Sequence, residues 1–441
     1  MQDWLGMSAA DLGRGIERGD IDPVELADAF LDAAKSHPRG SDIYARLTPD
    51  RARTEALAAR DRAHTGRRLS PLDGVPVSWK DLFDTAGIGT EAGTAMMEGR
   101  VPDADAQVLV NATANGMVCI GKTHMSEIAF SGLGLNPVTA TSPCVNDLDA
   151  VSGGSSSGAA ASVAFGIAPL AIGSDTGGSV RVPSAWNDLV GFKPTHGALP
   201  VDGVVALVQS FDTVGPLART VEDAALSYTA LGGPKITLDG ARIDGARLLI
   251  CETVAMEGLS DAPARAFEEA VEKLARAGAR ITRMPLPFLA DAFQMTGPLY
   301  PPEAYANWKD HIDRAGDRMF HQVRKRVTAG ADFAAHTYIT AWKNLRMMRE
   351  TWLRETAGFD AVIMPTVPSL PPKVADLLAD DDYYVSENLK ALRNTRIGNL
   401  MGLTALTLPT GVPSTGIMFC APPGAEARLL RLGSAAEAAL T

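Results

Sequence analysis

The sequence predicts an α/β protein, one sheet covered by helices on both faces. Three observations lead there. Strand-like and helix-like runs alternate along most of the 441 residues, the pattern of a sheet packed on two sides. The composition, 46% hydrophobic and 21% charged, is that of an ordinary globular chain. The 42 glycines and 28 prolines are scattered rather than tandem, which argues against low-complexity disorder. With no repeat and no linker, residues 1–441 are expected to form one domain. Within it, 1–65 reads as a helical segment, 66–235 as the core, and 236–441 as the remainder of the same sheet.

The elements follow in order. The first 65 residues read as helices. In DPVELADAFLDAAKSH, Asp22 is placed to cap the N-terminus, Pro23 suits the first turn, and Val24, Leu26 and Phe30 supply an apolar face. Turn residues in PLDGV precede a short strand at Val75 to Ser78, DADAQVLVNATAN (103–115) reads as a helix, and MVCIG as a buried strand. Residues 150–230 are dense in glycine and small side chains before a helix returns at TVEDAALSYTALGG. ARLLICE and ARITRM read as strands around the amphipathic helix PARAFEEAVEKLARAG. Helices then dominate to about residue 357, and FDAVIMPTVP and LTALTLPTG are strand-like runs. The apolar stripe of the C-terminal AEARLLRLGSAAEAAL reads as core, with a homodimer contact as the alternative.

Charge and cysteine usage narrow the function. A net charge of −11 without Lys/Arg clusters argues against a nucleic-acid surface. Cys119, Cys144, Cys251 and Cys420 lie far apart, and neither they nor the seven histidines have metal-ligand spacing. The N-terminus MQDWLGMSAADLGRG does not read as a secretory signal, and the most apolar stretch, Val163 to Ile172, is too short to span a bilayer. A cytoplasmic protein without membrane contact is the expectation.

One motif misleads. Gly116-Met-Val-Cys-Ile-Gly121-Lys122-Thr123 satisfies the P-loop pattern letter for letter. A phosphate cradle needs a polar loop after a strand, whereas Met-Val-Cys-Ile is itself strand-like. Lys122 is expected to pack its stem and pair locally. GGSSSG lacks a dinucleotide fingerprint around it.

The chemistry is expected elsewhere. Lys80 follows a strand in VSWKD, three serines (Ser155, Ser156, Ser157) stand in GGSSSG, and GSDTGGSVR carries Ser179. A serine hydroxyl becomes a nucleophile only when a base removes its proton. No histidine sits in a comparable glycine-framed turn, but a lysine serves if burial lowers its pKa by several units. Apolar residues on both sides of Lys80 suggest burial. A serine of GGSSSG, which can donate and accept at once, can bridge Lys80 to Ser179. Glycine lets the consecutive N–H groups of DTGGS approach an oxyanion.

These residues carry a resemblance. GGSSSGAAASVAFGIAPLAIGSDTGGSVRVPSAWNDLVGFKPTHG (153–197) is similar to the fingerprint of the amidase signature family of serine hydrolases. PLDGVPVSWKDLFDTAG, GKTHMSEIAFSG, SFDTVGPLARTVEDAA and DAVIMPTVPSLPP fit in the same order, so the resemblance covers nearly the whole chain. It implies the amidase signature fold, with a mixed, mostly parallel central sheet. It also implies a trio of Lys80, a serine held by a cis peptide bond at Ser155, and the nucleophile Ser179. The oxyanion donors fall on Thr176, Gly177, Gly178 and Ser179, and the supporting groups on Asp175 and Arg181, with Ser156 beside the relay. The implied reaction is hydrolysis of a small carboxylic amide to acid plus ammonia or amine through an acyl-enzyme, with no cofactor and no metal.

Some positions depart from the family pattern. Ser152 replaces a common proline, and GGSSSGA stands where GGSSGGS is usual. The added Ser157 reads as a solvated turn residue, and His124, where asparagine is frequent, as structural. Asp147 follows Asn146 where Asn-Pro is common, and TLPTGVPSTGIMF is short. Walls of the cleft are expected from 96–100, 133–141, 186–188, 299–308 and 383–396. Tyr300, Tyr305 and Trp308 suggest either an aryl acyl pocket or helix packing. The resemblance equally includes the glutamine-hydrolysing subunit of a tRNA-dependent amidotransferase, which passes ammonia to a partner. The acid selecting glutamine there precedes the Asn-Leu of the C-terminal motif, and LKALRNTRIG before Asn399-Leu400 has no carboxylate. An inactive binding module is the third possibility, against which the complete trio weighs.

Overall fold

The computed structural model describes residues 4–441. The strands along the chain are β1 (Tyr44–Leu47), β2 (Pro76–Lys80), β3 (Val118–Thr123), β4 (Pro143–Cys144), β5 (Asp147–Val151), β6 (Leu170–Asp175) and β7 (Val190–Lys193). They continue with β8 (Thr213–Ala218), β9 (Arg247–Cys251), β10 (Arg280–Met284), β11 (Ala361–Pro365), β12 (Thr404–Pro409) and β13 (Gly416–Ala421). β4 pairs only with β5. The other eleven form one sheet in the order β1-β3-β2-β6-β8-β7-β12-β13-β11-β9-β10.

The sheet is mixed, as expected. Parallel pairing occupies two flanking blocks, β3-β2-β6 and β11-β9-β10, and the strands between them run antiparallel to their neighbours. "Mostly parallel" therefore describes the flanks and not the middle. β2, β3, β6, β8, β11 and β13 are buried at every residue. Burial of consecutive strand residues, which point to opposite sides, requires cover on both faces.

Local chemistry accounts for the boundaries. Asp22 accepts from the N–H groups of Val24 and Glu25 ahead of the helix Pro23–Ser36, as an N-cap should. Thr220 caps the helix Val221–Ala230 through Asp223 N–H in the same way. The helix expected from residue 103 begins at Gln107. β1 lies inside the segment read as all helix, because four residues are too few to show a period. The C-terminal helix Glu426–Leu440 buries Leu429, Leu430, Leu432 and Ala436, so its stripe is core. The P-loop lookalike is strand β3. Lys122 donates to Phe83 O and Thr90 Oγ1, each at 2.7 Å, and lies 3.4 Å from Asp81 Oδ1. Among the described residues no helix is long and apolar enough to cross a membrane.

Candidate active site

β2 and β6 are parallel neighbours, with Ser78 opposite Ala171 and Trp79 opposite Ile172. Both therefore end at the same edge of the sheet, the edge at which α/β sheets bind ligands. Lys80 is the last residue of β2, and Asp175 the last of β6. The turn after β6 carries Thr176 to Ser179, and GGSSSG feeds the helix Ser157–Ala164 beside it. Ser78 Oγ and Ser162 Oγ, 2.8 Å apart, tie that helix to β2.

Lys80 is fully buried. Its Nζ lies 2.6 Å from Ser155 Oγ and 2.8 Å from Ser174 Oγ. Burial pushes the amine down from its ordinary 10.5 to about 7, against the pull of Asp175 and Asp212. A large fraction is thus neutral near pH 7. The peptide bond between Gly154 and Ser155 is cis. Ser156 Oγ donates to Ser174 O at 3.2 Å and lies 3.3 Å from Ser174 N, which fixes the backbone of the second serine on Lys80. Nothing in the sequence singles out Ser174.

Ser179 is 4% exposed. The N–H of Ser156 donates to Ser179 O at 3.2 Å and joins the two loops. Among the described residues no hydrogen bond connects Ser155 Oγ to Ser179 Oγ, so the expected relay is formed at its Lys80–Ser155 link only. Ser157 departs from expectation. It is fully buried, and its Oγ has no partner, because residue 157 already lies in the helix.

None of the N–H groups of Thr176, Gly177, Gly178 and Ser179 donates to another described group, whereas the next, Val180 N–H, is taken by Asp175 Oδ2 at 3.1 Å. The turn thus presents a run of free donors. Gly178 is required there. Its φ is +142°, and a Cβ would stand 2.0 Å from Thr395 Oγ1, whose hydroxyl donates to Gly177 O at 2.9 Å. Thr176 Oγ1 donates to Asp212 Oδ1 at 2.5 Å.

Asp175 and Arg181 form a buried, forked pair. Arg181 Nε reaches Asp175 Oδ2 at 3.0 Å and Nη2 reaches Oδ1 at 2.9 Å. Asn399 Nδ2 donates to Asp175 Oδ1 at 2.9 Å, and Arg181 Nη1 to Thr395 O at 2.6 Å. Burial alone would raise the Asp175 carboxyl, but the charge and hydrogen bonds of Arg181 hold it down at about 2. His124 lies outside the trio, and burial lowers its imidazole to about 4.

Ser179 opens on a narrow, partly open cavity of about 20 Å³, lined also by Phe130, Leu207, Tyr300, Arg326, Leu392 and Arg396. Two of the five expected wall segments contribute, 299–308 through Tyr300 and 383–396 through Leu392 and Arg396. Tyr300 stacks on Phe211 with ring centroids 4.5 Å apart, and its OH donates to Thr176 O at 3.2 Å. Trp308 Nε1 donates to Ala206 O at 3.0 Å. It packs its helix, and neither it nor Tyr305 lines the cavity. Phe130, Leu207 and Arg326 escape sequence reasoning, since nothing local marks residues that meet only in the fold.

The amidase family model matches residues 25–430. The chain is similar to 2-amino-5-chloromuconic acid deaminase of Comamonas testosteroni, 35% identical over 98% of this chain and 96% of that one. It is also similar to a glutamyl-tRNA(Gln) amidotransferase subunit of Thermobifida fusca, 31% identical over 100% of this chain and 97% of that one. A crystal structure of an amidase superposes with a TM-score of 0.90 at 29% identity, covering 99% of this chain and 100% of the other. The peptide amidase of Stenotrophomonas maltophilia gives 0.83 at 25% identity, covering 98% and 96%. The chain belongs to the amidase family and is a hydrolase of amide carbon–nitrogen bonds.

Proposed function

We propose that Ser179 is the nucleophile, Lys80 the base and Ser155 the relay between them. Neutral Lys80 takes the Ser155 proton as Ser155 takes that of Ser179, and Ser179 Oγ bonds to the amide carbon. The N–H groups of Thr176, Gly177, Gly178 and Ser179 hold the oxyanion, each donor worth about 3–4 kcal/mol in the barrier. The proton returns to the leaving nitrogen, the C–N bond breaks, and water releases the acid from the acyl-enzyme by the same path in reverse. Asp175, Arg181 and Ser156 hold the two loops in place. The observation that carries this reading is Lys80, fully buried, lowered to about 7 and 2.6 Å from Ser155 Oγ. The Ser155–Ser179 contact tightens when substrate binds, as catalytic hydrogen bonds commonly do. Strands from all three parts of the chain share one sheet, which supports a single domain. Four buried, unpaired cysteines suit a reducing cytoplasm.

Two other readings have specific support. The amidotransferase relatives favour glutamine hydrolysis, but no carboxylate lines the cavity to receive an α-ammonium. The deaminase relative favours release of ammonia from an amino-substituted unsaturated acid. Ammonia release by the purified chain alone, on a panel of simple amides, glutamine and an aminomuconate, separates the three. Covalent labelling by a fluorophosphonate is expected in the wild type and absent in Ser179→Ala. Labelling that persists in the variant removes Ser179 as nucleophile.

A further inference from the structure

Three hydroxyl groups from distant parts of the chain hold three consecutive carbonyls of the turn after β6. Thr213 Oγ1, at the start of β8, donates to Asp175 O at 2.6 Å. The Tyr300 hydroxyl, on the helix Thr296–Ala315, donates to Thr176 O at 3.2 Å. Thr395 Oγ1, on the helix Arg393–Leu400, donates to Gly177 O at 2.9 Å, with Leu392 O farther away at 3.3 Å. All three side chains are buried.

A planar trans peptide points its C=O and its N–H in opposite directions. Holding the carbonyls of Asp175, Thr176 and Gly177 therefore sets the directions of the next N–H groups, those of Thr176, Gly177 and Gly178. These are three of the four N–H groups of the turn that donate to no described group. A hydrogen bond at the carbonyl also polarises the peptide and strengthens its N–H as a donor. Any buried turn needs its polar groups paired. Here each peptide is paired at its carbonyl end and left open at its N–H end, and that asymmetry carries the inference.

The holders are themselves fixed. Tyr300 stacks on Phe211 with centroids 4.5 Å apart, and Phe211 on Trp342 at 5.1 Å. The Arg349 guanidinium lies over the Phe211 and Trp342 rings at 5.9 and 5.5 Å. Thr395 O accepts from Arg181 Nη1 at 2.6 Å, and Thr213 stands opposite Asp175 in the β6–β8 ladder. Groups locked in this way keep donors aimed before charge develops.

We propose that Thr213, Tyr300 and Thr395 are positioning residues, which aim the N–H groups of Thr176, Gly177 and Gly178 at the oxyanion formed when Ser179 attacks the amide. The proposal rests on the reading of Ser179 and its turn given above, and adds the groups that hold that turn rigid.

Thr213→Val, Tyr300→Phe and Thr395→Val each remove a hydroxyl and nearly keep the shape. Each is expected to lower kcat by about 3- to 10-fold on the simple amide that the wild type turns over fastest, with KM little changed. The rate of covalent labelling by a fluorophosphonate, whose phosphoryl oxygen takes the place of the oxyanion, should fall by the same factor. The ascending limb of the pH–rate profile should stay in place, because none of the three residues touches Lys80. Thr213→Ser and Thr395→Ser restore the hydroxyl and should recover most of the loss. Wild-type kcat and labelling rates in the three variants overturn the proposal. So does a loss confined to KM, a shifted limb, or a loss that the serine variants do not recover. Each of these outcomes leaves Ser179 as the nucleophile. A wild type that is not labelled, or a Ser179→Ala variant that is, refutes the reading of Ser179 and the proposal with it. If no simple amide is turned over, the labelling rates decide alone. Should a valine variant fail to fold by circular dichroism, Tyr300→Phe, which keeps the ring and its stack, carries the comparison.

Discussion

Lys80 reaches Ser155 across 75 residues of chain, Nζ to Oγ at 2.6 Å, with no water-exposed surface of its own. Burial lowers the amine to about 7, while Asp175 and Asp212 pull it upward. Below that pH Lys80 is protonated and cannot act as a base. The expected outcome is a kcat/KM that falls tenfold per pH unit below about 7 and levels above it. The same depression tilts stability. Between about 7 and 10.5 the unfolded chain holds a proton that folded Lys80 lacks, so stability rises with pH across that window. A pH–rate profile of ammonia release that is flat from about pH 5 to about pH 9 would remove Lys80 from the mechanism.

The two serines on Lys80 separate by their effect on that profile. Ser155 carries the proton onward, so Ser155→Ala should lower kcat by about 10²- to 10⁴-fold. Ser174 only accepts from the amine, at 2.8 Å. Removing its hydroxyl withdraws an acceptor that favours the protonated amine. Ser174→Ala should therefore move the ascending limb to lower pH, with a loss in kcat of about tenfold or less. If Ser174→Ala matches Ser155→Ala in kcat and leaves the limb in place, the relay assignment is wrong.

The difference between these serines also marks what a sequence can reveal. Ser155 and Ser179 stand in glycine-framed loops whose composition has no ordinary packing purpose, and Lys80 is a charge inside an apolar run. Each is anomalous within a few residues of itself. Ser174 is a small residue in a buried strand, and nothing local distinguishes it from Ala171. Arg326 and Arg396 sit on helices with unremarkable neighbours and become unusual only when two distant segments bring them to one cavity without an acid. The strand-and-helix alternation is legible because it is periodic. The antiparallel middle of the sheet is not, because pairing direction depends on how distant strands are ordered. Ser157 reads wrongly as solvated because its polar, glycine-rich context resembles a turn, whereas the helix begins at that residue.

Gly178 is under two constraints at once, a φ of +142° and a Cβ position 2.0 Å from Thr395 Oγ1. Gly178→Ala must either shift Thr395 or rotate the turn that aims the free N–H groups. The expected result is a loss of about 10²- to 10³-fold in kcat, the size seen when one oxyanion donor is removed. The companion variant Thr395→Ser keeps the hydroxyl bond to Gly177 O and shortens the side chain only at its methyl. It should retain most activity. A Gly178→Ala enzyme with wild-type kcat would show that the turn does not hold the oxyanion.

The Asp175–Arg181 pair makes a separable prediction, because it touches the loops and not the cavity. Arg181→Met leaves a carboxylate buried beside Asn399 with its main counter-charge gone. Breaking a buried pair from one side typically costs about 3–5 kcal/mol, so the urea midpoint should fall accordingly with an unchanged slope. The sign with pH is fixed by the depressed carboxyl. Asp175 contributes its stability in full above about 3.8, and the contribution is lost as pH falls toward about 2. In Arg181→Met the carboxyl rises instead, and the acid limb of the stability curve moves to higher pH. Arg181→Lys keeps a charge but not the two-point fork. It should recover part of the stability and little of the kcat, since one point of contact does not fix the turn that carries Thr176 to Ser179. If the lysine variant regains full turnover, charge alone supports the turn, and the forked geometry has no part in it.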